Sequence, residues 1–384
     1  MTLRMEIAPG LLEWAQERSR VPQEILLDKF PRLQEWMSGA ASPTLKQLED
    51  YAAATHTPVG RLLLAEPPEE AAPIPDFRTL GDRVIGRPSA DLLDTVYMCQ
   101  QRQEWYRDFA RVNGQDPIAF VDSAVTSHPA LEVAREMRRL LKFELDDRQS
   151  FSTWVLALSG LSERAENAGV LVMINGIVGS NTHRKLDPGE FRGFALVDPF
   201  APLVFVNGAD TKAAQIFTLV HELAHIWLGQ QALDDASPGR RASNKIERWC
   251  SQVAAEFLVP IADLETQFRS EADLTAELDR LARLFKSSTL VVLRRIHDAG
   301  GLSWERFREE YRHELERVMS IAGGRAQTGG DFYNTTPVRT SKRFARALIT
   351  STLEGQTLYR DAARLLGFKN LRSLDKLGER LGVS

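Results

Sequence analysis

The run FTLVHELAHIWLG, residues 217–229, constrains this chain more than any other stretch, because it sets two histidines and a carboxylate within five residues of an apolar segment. Glu222 is the only charged side chain between Lys212 and Asp234, protonated histidines aside. A segment this apolar on every side is expected as a buried helix. Asp210 or Thr211 precedes it as a candidate N-cap, and Gly229 stands where a left-handed C-terminal residue belongs. On such a helix His221 and His225 point the same way about one turn apart and can share one metal ion. Glu222 lies about 100° round the axis from His221, beside the ion, where its carboxylate can take a proton from a water activated there. The bland alternative is a pair of buried histidines satisfied by backbone carbonyls. It leaves a buried, ionised carboxylate with no cation or proton to offset a cost of several kcal/mol.

A catalytic zinc takes three protein ligands and keeps one position open. The stretch NKIERWCSQVAAEFLVP (244–260) offers Glu247 and Glu256, nine residues apart. At about 100° per residue they face nearly opposite ways, so one helix cannot aim both at one ion. Ile246, Cys250, Val253, Ala254, Phe257 and Leu258 form the apolar stripe; Glu247 borders it and Glu256 lies well outside. Glu247 is therefore the expected third ligand, and Glu256 is expected at the surface or in a supporting contact. His183, His297 and Tyr311 are candidates to stabilise an oxyanion, with nothing in the sequence to choose among them. Trp227 and Trp249 read as core.

Around this motif the chain is mostly helical. Residues 8–65 read as five short helices, with Pro22, Pro43 and Pro58 near three of the starts. EPPEEAAPIPDFRT (66–79) is too proline-rich for a helix and reads as an extended strap, and 89–145 return to helical periodicity. Residues 168–175, 189–198 and 202–207 are short β-branched or aromatic runs, a small sheet in which PLVFVN is expected as an edge open to an extended substrate. Helices follow to the end, broken by a Gly-rich hinge at 322–331. Residues 331–384 carry ten Lys/Arg against five Asp/Glu, although the whole chain has a formal net charge of −4. Within 357–382 two amphipathic helices meet near Gly367, offering Arg360, Arg364, Lys369, Arg372 and Lys376 to an acidic surface or to phosphates. No apolar run approaches the roughly 18 residues of a membrane helix. Two cysteines and no signal-peptide pattern point to the cytoplasm.

FTLVHELAHIWLG followed by ERWCSQVAAEFLVP resembles the ImmA/IrrE metallopeptidases, and the likeness extends through FKSSTLVVLRRIHDAG (285–300). The resemblance implies a gluzincin-type Zn2+ site at His221, His225 and Glu247 with Glu222 as general base. Ser251 stands where that family commonly has Asn. WMSGAASPTLKQLEDYAAATHTPVGRLLLAEPPEE resembles the XRE-like helix-turn-helix unit fused to these peptidases, yet between LLDKF and WMSG only Lys29 and Arg32 are basic. A recognition helix combines phosphate contacts with base-reading side chains, so a docking or structural role is expected there ahead of DNA binding. The implied protein substrate is a helix-turn-helix repressor; in the alternative, the chain is an antitoxin-like binder of a cognate toxin with a mainly structural zinc site. The expectation is an α+β chain in four parts: a helix-turn-helix-like domain (1–65), a linker and helical segment (66–150), a zinc metallopeptidase domain (151–321), and a Gly-rich hinge with a basic helical tail (322–384).

Overall fold

The computed structural model describes residues 4–8, 10–70, 73–75, 79–80, 83–84, 88–234, 245–322, 332–368, 370 and 372–383. It separates into two compact units, residues 1–73 with 85–97 and residues 74–84 with 98–384. The expected boundaries at 150 and 321 both fall inside the second unit. The expected hinge lies almost wholly outside the described residues. Among the described residues no helix is long and apolar enough to cross a membrane.

The first unit contains α1 (Leu11–Ser19), α2 (Gln23–Lys29), α3 (Leu33–Met37), α4 (Leu45–Ala54) and a 3-10 turn, Val59–Leu63, in place of a fifth α-helix. Thr44 and Gln47 form a reciprocal capping box at the start of α4. Leu11, Trp14, Leu33, Leu48, Tyr51 and Leu62 fill the core, and the buried Tyr51 hydroxyl donates to Leu12 O at 2.7 Å. The described part of the proline-rich strap runs back over this unit, where Glu70 pairs with Arg18 and Arg61.

Next come β1 (Thr79–Leu80), β2 (Arg83–Val84), α5 (Ala90–Val112), α6 (Ala130–Leu141), α7 (Leu145–Gln149) and α8 (Trp154–Asn167). The strands β3 (Leu171–Asn175), β4 (Ile177–Val178), β5 (Asn181–Lys185), β6 (Gly193–Leu196) and β7 (Leu203–Asn207) lead into α9 (Lys212–Trp227) and β8 (Ala232–Asp234). Helices complete the chain: α10 (Lys245–Leu258), α11 (Ile261–Gln267), α12 (Leu274–Phe285), α13 (Thr289–Asp298), α14 (Trp304–Ala322), α15 (Phe332–Thr340), α16 (Lys342–Leu353), α17 (Tyr359–Leu366) and α18 (Arg372–Leu381). The α+β expectation holds.

The main sheet has the order β3-β7-β6-β8, parallel between β3 and β7 and antiparallel elsewhere. Every residue of β3 and β7 is buried, which suits their unbroken apolar runs. The order overturns one expectation: PLVFVN is β7, paired on both sides, and among the described residues the strands at the ends of the sheet are β3 and β8. The tail is not a loose appendage either. Helix α15 packs on β3, and α16 packs on β3 and α8. Ser341 donates to the buried Glu166 carboxylate at 2.5 Å, while Arg343 donates to Glu166 O at 3.2 Å and to the Tyr106 hydroxyl at 2.7 Å.

Candidate metal centre

Helix α9 starts where the Thr211 side chain accepts from Ala214 N at 3.3 Å, and Gln215 ties its first turn to the carbonyls of Gly208 and Asp210. From Ala214 to Trp227 every residue is buried, between β6 and β7, α8 and α10. It ends in a Schellman turn: Gly229, at φ +67°, donates to Ile226 O and Gln230 N donates to His225 O. A side chain at Gly229 would also collide with the Asp122 carboxylate.

Inside this frame the three expected ligands converge. His221 Nε2 lies 3.1 Å from Glu247 Oε2, His225 Nε2 lies 3.2 Å from His221 Nε2, and His225 Nε2 lies 3.4 Å from Glu247 Oε1. Their candidate ligand atoms all fall within 4.8 Å of one another, and all three residues are buried. It is the only such group of His, Cys, Asp and Glu among the described residues. Burial would raise the pKa of the Glu247 carboxyl, but His225 and His221 outweigh it, through their charge and hydrogen bonds, and hold the group well below the usual carboxylate range.

The arrangement fits a cation. Two imidazole nitrogens 3.2 Å apart can hold one proton between them, and the adjacent carboxylate favours positive charge at the same point. Two neutral imidazoles and a carboxylate are a common donor set for zinc. Ser251 Oγ lies 3.4 Å from His221 Nδ1. A proton on Nδ1 donated to that hydroxyl leaves the Nε2 lone pair for the ion.

Glu222 is fully buried, on the turn of α9 that carries His221. Room for it comes from Gly193, the first residue of β6. A Cβ there would sit 2.5 Å from Thr218 Cγ2, 2.8 Å from Phe205 O and 3.1 Å from Glu222 Oε1. A lone glycine at the head of an apolar strand is a recognised sign of close backbone approach. Gly193→Ala is expected to cost about 1–3 kcal/mol by overpacking and to slow catalysis while metal content is unchanged. Urea unfolding, elemental analysis and turnover read the three effects, and a variant unchanged in stability and rate defeats the argument.

Comparison with known proteins finds similarity over the segment that holds these residues. The family described as the IrrE N-terminal-like domain matches residues 165–297, which include all four of these side chains. The Radiation response metalloprotease IrrE of Deinococcus radiodurans is 36% identical over 177 residues, 44% of this chain and 48% of that protein. Residues 165–297 thus resemble the IrrE N-terminal-like domain family. The chain spans about half the length of that curated relative. Residues 340–380 match a separate domain of unknown function.

The remaining candidates are placed away from the His221–His225–Glu247 cluster. Glu256 is neither at the surface nor supporting a ligand: it is buried and paired with Arg295 of α13. Arg295 also donates to Val259 O at 2.9 Å, and Arg138 donates to Glu256 O at 2.6 Å. Charge on Glu256 thus fixes the end of α10. His183 is exposed on β5, in the separate β4–β5 pair. His297 Nδ1 lies 2.9 Å from Leu302 O and its ring stacks on Phe307, against which Tyr311 also packs. Trp227 stacks on Phe120 with centroids 4.0 Å apart, and Trp249 Nε1 donates to His128 O at 2.9 Å.

One buried group escaped sequence reasoning altogether. The Arg148 guanidinium donates to Phe143 O at 3.1 Å, Phe257 O at 2.7 Å, Phe285 O at 3.3 Å, and Leu258 O. Phe257 and Leu258 end α10, and Phe285 ends α12. Their carbonyls have no partner within their own helices, so Arg148 caps two helices at once. Burial, and then Arg138, push its pKa down to about 9, which leaves it charged at neutral pH.

Proposed function

We propose that this protein is a zinc-dependent endopeptidase with a regulatory role, cutting a helix-turn-helix repressor or a similar protein in a reducing cytoplasm. The observation that carries the reading is the buried convergence of His221, His225 and Glu247 beside Glu222. His221 and His225 through Nε2, and Glu247 through its carboxylate, would hold the ion. When bound, zinc supplies Lewis-acid polarisation of the scissile carbonyl and lowers the pKa of water enough to make it a nucleophile near neutrality. Glu222 serves as general base and then acid, taking a proton from the attacking water and delivering it to the leaving amide nitrogen. The apolar walls of α9 keep bulk water from that carboxylate, which strengthens its interaction with the proton it moves. Because β7 is paired on both sides, an extended substrate segment adds by backbone hydrogen bonds to β8, the strand that leaves α9.

Protein purified without chelator is expected to contain about one zinc per chain, as a single three-ligand site requires. Incubated with a repressor encoded beside it, the protein should produce discrete fragments, and a chelator should stop the cleavage until zinc is restored. Purified protein with no stoichiometric transition metal overturns the reading. Fully loaded protein that leaves the repressor intact but captures a neighbouring toxin replaces it with the antitoxin-like one.

A further inference from the structure

Helices α16, α17 and α18 form a small assembly at the end of the second unit. Phe344, Ala345, Leu348 and Ile349 of α16 are buried, as are Ala362, Ala363, Leu365 and Leu366 of α17 and Leu374 and Leu377 of α18. Both later helices pack on α16. The small side chains of Ala362 and Ala363 permit a close crossing. Arg102 fixes the end of α17 by donating to Leu365 O at 2.9 Å. Gly367 then turns the chain at φ +73°, where any side chain is strained, and α18 begins at Arg372. Two short helices that follow one another past a glycine have the chain order of a helix-turn-helix.

Its outward face carries basic residues in excess, with Asp375 and Glu379 exposed among them. Residues 340–380 hold nine Lys/Arg against four Asp/Glu, in a chain of net charge −4. On α18, Arg372, Lys376 and Arg380 are exposed and succeed one another every four residues, so they form one stripe. That stripe spans about 12 Å at 1.5 Å per residue, a length matched to the major groove. On α17, Arg360 and Arg364 are 81% and 72% exposed and share Asp361, each 3.8 Å away. Exposed pairs at such separations contribute little, so both guanidinia remain available to a partner. The first unit differs in charge and in helix length. Residues 1–65 hold seven Lys/Arg against eight Asp/Glu, and α3 has only five residues.

We propose that α17 and α18 bind double-stranded DNA, with α18 in the major groove and Arg360 and Arg364 on phosphates. The site is independent of the peptidase reading and goes beyond it, placing the protein on the nucleic acid through its C-terminal helices. An acidic protein surface could pair with the same charges, but exposed basic side chains repeating every four residues along one helix match the periodic, negatively charged groove of a duplex.

The test uses the full-length, metal-loaded protein and a fluorescent random-sequence duplex of about two helical turns, titrated by anisotropy across a salt series. Binding is expected with a Kd on the order of 10⁻⁴–10⁻⁶ M near physiological salt. The slope of log affinity against log salt should be about −4 to −5, since each of five phosphate contacts contributes about −0.9. The triple variant Arg372→Gln, Lys376→Gln, Arg380→Gln should keep its circular dichroism spectrum, bind at least about tenfold more weakly, and lose about three contacts' worth of slope. Arg372→Lys with Arg380→Lys should retain the slope. Arg32→Gln with Lys46→Gln should change nothing. No binding at low salt, an unaltered triple variant, or loss confined to the Arg32/Lys46 variant overturns the proposal. So does polyglutamate binding with the same affinity and salt dependence as the duplex, which would make the face a docking site for acidic protein.

Discussion

Glu222→Gln is expected to leave the protein folded and metal-loaded while lowering the rate of peptide cleavage by about 10²–10⁴. Gln has nearly the shape of Glu, which matters where the space is already closed by Gly193 and Thr218. It also replaces a buried charge by a neutral amide, so the substitution costs no additional desolvation. The ligand set His221, His225 and Glu247 is untouched. Only proton transfer is lost, because an amide cannot accept the proton of the attacking water.

The comparison variant is Glu256→Gln, on the helix that carries Glu247. It leaves the Arg295 guanidinium buried beside a neutral group and should destabilise the fold by about 3–5 kcal/mol, since breaking one half of a buried ion pair is costly. It should nevertheless bind the metal stoichiometrically under conditions where it is folded. Metal content, turnover and denaturant midpoints separate the two. Glu222→Gln with undiminished cleavage would end the general-base assignment, and Glu222→Gln without metal would make Glu222 a ligand. Loss of metal from folded Glu256→Gln would reopen the choice of Glu247.

The His221–His225–Glu247 cluster was legible because its signal is periodic and local. Four-residue spacing sets His221 and His225 on one face whatever surrounds the helix, and the apolar stripe of α10 turns Glu247 toward them. The same stripe argument failed for Glu256, because a side chain outside an apolar stripe reads as solvated. Its partner is Arg295, supplied by α13, and one helix's pattern holds no record of an ion pair made with another. Strand order was illegible for a similar reason. Nothing in PLVFVN says whether one edge or both are paired, and β8 has only three residues, too few for an alternating pattern. The amphipathic tail helices were visible, but the surface under α15 and α16 was not, since β3 and α8 receive them through contacts distant in sequence. Gly193 lies inside the run 189–198, and nothing in that run says that side chains of α9 come up against it.

Arg148 marks the furthest limit of sequence reasoning, and it carries the second large effect. Its neighbours LDDRQ are polar, so the segment reads as surface, yet the side chain is fully buried between Phe143 and Phe257. A protonated guanidinium survives there because the carbonyls that end α10 and α12 converge on it, each end carrying the negative pole of a helix dipole. Arg148→Leu keeps an apolar body but strands those carbonyls. At about 1–3 kcal/mol for each buried group left unsatisfied, reduced by relaxation and water entry, the loss should reach about 3–5 kcal/mol. In a unit of this size the melting temperature falls on the order of 10 °C. Arg148→Lys should recover only part of that, since a single ammonium cannot reach carbonyls fanned around a planar fork. Helix α10 carries Glu247 in its first turn and is clamped by Arg148 at its last, so the Leu variant should also bind zinc more weakly. Calorimetry on metal-loaded and chelated protein measures both consequences. A Leu variant that melts within a degree or two of the parent and holds zinc as tightly would show that α10 is positioned by its apolar face alone.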